Sequence, residues 1–94
     1  MNDTFVRHGV IYRQVRRAGL LALLELKYEA NGPVVGWDVV LLVRRPKRAK
    51  IGGVIRDTAE IVEMMPPSEA WGRSAWSFDR LETAERKFLE VSES

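Results

Sequence analysis

One segment in the first third of the chain, residues 20–28, carries a hydrophobic pattern with a repeat of two. It lies between Gly19 and the turn-forming Asn31-Gly32-Pro33, and its apolar positions share one parity while Glu25, Lys27 and Glu29 share the other. This repeat predicts a β-strand with one buried face, although Leu, Ala, Glu and Lys would also suit a helix. The apolar positions are Leu20, Ala22, Leu24, Leu26 and Tyr28.

Three further segments predict strands. Residues 10–17 are β-branched, aromatic and basic, which favours an extended strand. Residues 37–45 are apolar on both parities, as is typical of a strand covered on both faces. Residues 59–65 predict a fourth strand that ends at Pro66-Pro67, because proline cannot donate a hydrogen bond to a neighbouring strand.

The C-terminal third predicts one helical turn and then a longer helix. Residues 67–72 suit a single turn closed by glycine, and Asp79 is positioned to cap the final helix. We expect the apolar stripe of that helix to pack on the sheet face that carries Ala22, Leu24 and Leu26. The stripe consists of Leu81, Ala84, Phe88 and Val91.

These elements predict an α+β fold, in which an antiparallel meander sheet of three to four strands carries a C-terminal helix packed on one face. A chain of 94 residues supports one hydrophobic core, so we interpret residues 1–94 as a single domain with a flexible N-terminus over residues 1–9. Without cysteine it has no disulfide or thiolate site. Because it has neither a signal peptide nor a long apolar run, we expect a cytoplasmic protein outside the membrane.

The net charge of +2 conceals a division along the chain. Residues 1–56 contain eleven Lys/Arg and four Asp/Glu, whereas residues 57–94 contain four and nine, so the two parts carry +7 and −5. Such a division fits a basic face for an acidic partner, and it fits equally two halves that lie side by side and neutralise each other.

No motif in the sequence indicates a catalytic centre. The single histidine, His8, lies near a terminus without a second ligand or a carboxylate to orient it. Glu25, Glu29 and Asp38 are spaced like solvated strand or turn residues, and no phosphate-binding glycine loop or nucleophile elbow is present. We therefore expect no enzyme activity, no metal and no cofactor.

The strongest local charge feature is a basic segment, residues 44–50, which we expect to form a mobile loop because Pro46 interrupts the preceding strand. Its side chains could neutralise DNA or RNA phosphates, and Arg13, Arg16 and Arg17 would extend this patch if the first strand lies close by. The alternative is a solvated loop whose charges discourage aggregation at a sheet edge. The basic residues of the segment are Arg44, Arg45, Lys47, Arg48 and Lys50.

Large aromatic residues cluster just before the final helix. Trp71, Trp76 and Phe78 lie within eight residues, and Trp37 begins the strand that is apolar on both parities. Aromatic side chains are frequent both in cores and in interfaces. The cluster therefore either seals the helix onto the sheet or, through Trp37, Trp71 and Trp76, contributes to an interface.

The segments EAWGR (69–73), WSF (76–78) and LETAERKF (81–88) resemble the C-terminal parts of small uncharacterised proteins encoded by phages and prophages. The resemblance covers residues 10–91 and is specific in the last third. It implies an accessory factor that binds host or phage components, and inhibitors of host defence occur among proteins of this size. Residues 71–73 also resemble the signature of the WGR domain, which implies nucleic-acid binding, but the glycine-bearing segment that normally follows that signature is absent here.

The resemblance and the lack of a catalytic motif together predict a non-catalytic protein-interaction module. It would be a phage or prophage accessory protein with a host or phage protein as its partner, and inhibition of a host defence system is one form of that role. The alternative is a small DNA- or RNA-binding domain that uses residues 44–50.

Overall fold

The computed structural model describes residues 3–93, which form two antiparallel sheets and one α-helix. The strands are β1 (Thr4–Arg7), β2 (Val10–Ala18), β3 (Leu21–Lys27), β4 (Gly36–Leu41), β5 (Val43–Ile51), β6 (Val54–Met64) and β7 (Ala75–Phe78); a 3-10 helix spans Ser68–Ala70, and α1 spans Leu81–Glu93. Five strands form one sheet in the order β1-β2-β3-β4-β7, while β5 and β6 pair only with each other. The predicted α+β class, with an antiparallel sheet and a C-terminal helix on one face, is confirmed, but there are more strands than the three to four expected.

Strand β3 is central in the larger sheet and is buried on both faces. The side chains of Leu21 and Leu23 lie in one core cluster, whereas those of Ala22 and Leu24 lie in another. The prediction of a single buried face was wrong, because Leu21 and Leu23 are apolar residues on the second parity and alternate residues of a strand point to opposite faces.

Helix α1 packs on the face of the sheet that carries Leu21 and Leu23. Ala84 and Phe88 are buried there, and Val91 packs against the same cluster. The expected contact with the face of Ala22, Leu24 and Leu26 is therefore wrong, and Leu81 remains 39% exposed. No helix within residues 3–93 is long and apolar enough to cross a membrane.

The start of α1 also differs from the prediction. Its first helical hydrogen bond runs from the N–H of Ala84 to the carbonyl of Arg80, so Arg80 occupies the N-cap position that the sequence pattern assigned to Asp79.

The opposite face of the sheet is covered without a long helix. Its buried residues include Ala22, Leu24 and Val40, and Met65 packs against them from the segment that follows β6. Strand β6 ends at Met64, next to the strand end predicted at the two prolines, and Pro66 is fully buried. The single turn predicted within residues 67–72 is present as the 3-10 helix, and Gly72 with φ of 94° follows it.

An N-terminal strand lies inside the segment for which we expected a flexible terminus. Strand β1 pairs with β2, and the rings of Phe5 and Tyr12 stack with centroids 5.0 Å apart. His8 and Gly9 connect the two strands with φ angles of 52° and 76°, as a tight hairpin turn requires. Residues 1 and 2 lie outside the described part of the chain.

Candidate functional site

The basic segment belongs to a β-hairpin formed by residues 43–64, called the arm below. Val43 pairs with Met64 at its base, and Ile51 pairs with Val54 at its tip. Gly52 and Gly53 have φ angles of 60° and 82°, which gives a two-residue turn that matches the twist of the strands. The prediction of a mobile loop was wrong, because an edge strand tolerates a proline and β6 begins five residues earlier than expected.

The arm gives the molecule its elongated shape, with extents of 48 × 35 × 22 Å. Its two strands pack mainly against each other. At the base, the guanidinium of Arg17 donates to the Glu63 carboxylate and to the side-chain carbonyl of Gln14. The hydrogen bond from Arg17 lowers the pKa of Glu63. A two-stranded ribbon is only marginally stable in water, so this ion pair is a significant link between the arm and the body.

Charges on the arm are partly neutralised across its two strands. Ion pairs join Arg44 to Glu63 at 4.0 Å, Lys47 to Glu60 at 3.8 Å and Arg48 to Asp57 at 3.4 Å. Six Lys/Arg and three Asp/Glu leave the arm a net charge of +3. The basic residues on the arm that have no ion pair with a described residue are Arg45, Lys50 and Arg56.

Of the three arginines of β2 that were predicted to extend the basic patch, only Arg17 reaches the arm. Arg13 forms an ion pair with Glu25 at 3.0 Å, and this hydrogen bond raises the pKa of Arg13. The guanidinium of Arg16 lies over the ring of Phe88, 5.0 Å from its centroid, on the helix side of the sheet. Arg17 forms an ion pair with Glu63. The predicted eight-residue patch is therefore not one continuous surface.

Exposed aliphatic side chains on the arm were missed by the sequence analysis. Their exposed fractions run from 48% at Met64 to 68% at Ile55. The aliphatic residues on both sides of Gly52-Gly53 could have indicated this exposure, because a hairpin tip cannot bury the side chains on either side of its turn. The exposed set is Ile51, Val54, Ile55, Ile61 and Met64.

The three tryptophans predicted as interface residues have different environments. Trp37 and Trp76 pack against the cluster under α1, and the Lys87 ammonium lies 4.6 Å from the ring centroid of Trp76. Trp71 lies at the surface, and its Nε1–H donates to Ser77 Oγ at 2.9 Å. Trp71 is thus the most exposed of the three predicted interface aromatics.

Asp38 is buried, although its spacing had indicated a solvated residue. Its relative solvent exposure is 3%, and its Oδ1 accepts a hydrogen bond of 2.8 Å from Ser77 Oγ. Burial raises the pKa of Asp38. The pKa of Tyr12 is also raised, mainly by burial and to a lesser extent by the nearby Asp38 charge. Within residues 3–93, no three His, Cys, Asp or Glu side chains lie close enough together to hold a metal ion.

Comparisons with protein-family models, with curated proteins and with solved structures give no match to this chain.

Proposed function

We propose that this chain is a non-catalytic protein-interaction module and that the arm is the element that binds the partner. The observation that carries this proposal is the set of aliphatic side chains that the arm exposes, with Ile55 as its most exposed member. Exposed apolar surface on a protruding element is typical of protein-binding sites, and a docked partner would stabilise a ribbon that the body supports only at its base.

The role that fits this proposal is a cytoplasmic accessory protein of a phage or prophage. Its partner is a host or phage protein, and a component of a host defence system is one candidate. The resemblance of residues 69–88 to such accessory proteins supports the class, and the arm supplies the binding element.

The experiment is affinity capture from a nuclease-treated bacterial lysate with three forms of the full chain. The tip variant carries Ile51→Ser and Ile55→Ser, and the control carries Leu89→Ser on the exposed part of α1. Removing two central apolar contacts should weaken binding about tenfold or more. A stoichiometric protein retained by the wild type and the control, but lost by the tip variant, supports the proposal.

A second candidate function is nucleic-acid binding by the arm. Its net charge of +3 favours this function, and so does the fact that Lys50 and Arg56 form no ion pair with any of residues 3–93. If this function is correct, a 20-base-pair DNA duplex binds at low salt, and raising the salt concentration weakens binding steeply. Lys50→Gln with Arg56→Gln should then weaken binding to all sequences alike. Duplex binding together with capture that is insensitive to the tip substitutions would replace the first function by the second.

A further inference from the structure

An open groove of about 510 Å³ lies at one end of the larger sheet, away from the arm. Register pairs Leu26 with Gly36 and Asp38 with Ser77, so these positions share the face opposite α1. Gly36 lines the floor of the groove, and a Cβ at this position would lie 3.1 Å from the backbone oxygen of Phe78. Tyr28 and Asp79 lie where the strands on either side of the floor end.

Asp38 is a buried carboxylate that forms no ion pair with any residue in the described part of the chain. Its only hydrogen bond within residues 3–93 comes from Ser77 and reaches Oδ1. The second oxygen, Oδ2, has no partner there, yet no buried side-chain oxygen of the described residues is unsatisfied, so Oδ2 keeps contact with solvent. An ionised carboxylate that is withdrawn from water is unfavourable unless an opposite charge accompanies it.

The rest of the groove has the properties of a cation site. Asp79 adds a second carboxylate. Tyr28 is 67% exposed, so its aromatic ring is accessible for a cation–π contact with a bound cation. None of the described residues that line the groove is basic. Leu26 and Val35 supply apolar surface for the hydrocarbon part of a ligand.

We propose that this groove binds an organic cation, a guanidinium or alkylammonium group, with the Asp38 carboxylate as its counter-ion. Asp79 attracts the cation at the rim, and the ring of Tyr28 packs against it. Such a group belongs either to an arginine or lysine side chain of a protein or to a free small amine or guanidine. The site is independent of the arm and of the partner that the arm binds.

The test follows the indole Nε1–H signal of Trp71 by NMR while ethylguanidinium is added. Trp71 donates to Ser77, whose hydroxyl donates to Asp38, so a cation at Asp38 should alter this signal. We expect a saturable shift with a dissociation constant of about 1–10 mM, which is reasonable for so small a ligand. The absence of saturation, or an equal response to the neutral isostere ethylurea, would overturn the proposal.

Variants identify the counter-ion. Asp38→Asn keeps the size of the side chain and an acceptor for Ser77 but removes the charge, so the saturable shift should disappear. Glu29→Gln removes an exposed acid that does not line the groove and should leave binding unchanged. Unchanged binding by a folded Asp38→Asn chain would contradict the proposal. If that variant does not fold, Asp79→Asn at the rim should weaken binding about two- to fivefold, and no change there also contradicts it.

Two further experiments distinguish the two sources of the cation and separate this proposal from the proposed function. Tighter binding of the peptide acetyl-Gly-Arg-Gly-amide than of ethylguanidinium indicates a protein side chain as the natural ligand, whereas equal binding indicates a free small cation. Both outcomes support a cation site. The Ile51→Ser, Ile55→Ser variant should bind ethylguanidinium like the wild type, so loss of the arm's partner leaves this inference intact.

Discussion

At the scale of single residues, Asp38 is a buried charged group that lowers the stability of the fold around it. Its neighbours across the sheet are Leu24 and Ser77, and only Ser77 contributes a polar contact. A neutral residue of the same shape would satisfy the same hydrogen bond without burying a charge. The carboxylate therefore lowers the stability of the protein, which fits the proposed cation site because groups that serve a binding site often lower stability.

This cost predicts a pH-dependent effect of Asp38→Asn. Because burial raises the pKa of Asp38 above 3.8, the folded state binds a proton more tightly than the unfolded state, and stability falls as pH rises through the raised pKa. At pH 7 the variant should have the higher urea midpoint, and the difference should vanish at about pH 3.8 and below. A lower midpoint of the variant at pH 7 would show that the carboxylate stabilises the fold.

Phe88 is the residue on which the packing of α1 depends most. It is 3% exposed and lies against the cluster of Leu21 and Leu23, so Phe88→Ala should lower the free energy of unfolding by about 3–5 kcal/mol. Arg86→Ala, on the exposed side of the same helix, should change it by no more than about 0.5 kcal/mol. Chemical denaturation measures both, and equal midpoints would show that Phe88 does not support the core.

Helical spacing identified Ala84 and Phe88 as buried, because a local repeat determines which side of a helix is apolar. It could not choose between two apolar faces of β3, and the charge of Asp38 gave no sign of burial. The position of Asp38 depends on pairing with Ser77, which is 39 residues away in the sequence. Contacts of that kind arise from topology, which a reading of local patterns does not contain.

At the scale of elements, β2, β3 and β4 followed from local sequence patterns, whereas β1, β7 and the arm did not. Both of its strands lack a buried face, and residues 44–50 carry charge where a buried strand would carry aliphatic residues. The partner strand β6 is likewise mostly exposed, so the pattern indicated only its last part. Pairing across the glycine turn, rather than burial, defines these strands.

The ion pair between Arg17 and Glu63 predicts that the arm loosens in acid. Because the pKa of Glu63 lies below 4.5, its contribution is present above that pH and is lost as pH falls through the lowered pKa. Backbone order parameters of residues 44–63 should fall in that range, and Arg17→Gln should produce the same loosening at pH 7. Arg13→Gln, whose partner Glu25 lies within the body, is the matched control. Equal order parameters of the arm in both variants would show that the ion pair between Arg17 and Glu63 does not hold the arm to the body.

At the scale of the whole molecule, the arm accounts for the elongated shape. The radius of gyration is 14.7 Å, whereas a compact chain of this length has about 12 Å. If residues 44–63 are replaced by Asn-Gly, small-angle scattering should give about 11 Å, because the remaining body is compact and shorter. A wild-type value near 12 Å in solution would mean instead that the arm folds back onto the body.

The path of the chain through the sheet also affects the order in which it folds. Strands β4 and β7 pair although residues 42–74 separate them, and closing a loop costs more entropy as the loop grows. Once the arm has formed, Val43 and Met64 lie side by side and the loop that remains to be closed is short. The arm should therefore form before β7 joins the sheet.

Gly53→Val, which strains the turn at φ of 82°, should then slow refolding in stopped-flow experiments and leave the unfolding rate nearly unchanged. The chain in which Asn-Gly replaces residues 44–63 closes a permanently short loop and should refold at least as fast as the wild type. Faster unfolding of Gly53→Val with unchanged refolding would place arm formation late. On this account, the hairpin that extends from the body and that we propose as the partner-binding element also determines how fast the sheet is completed.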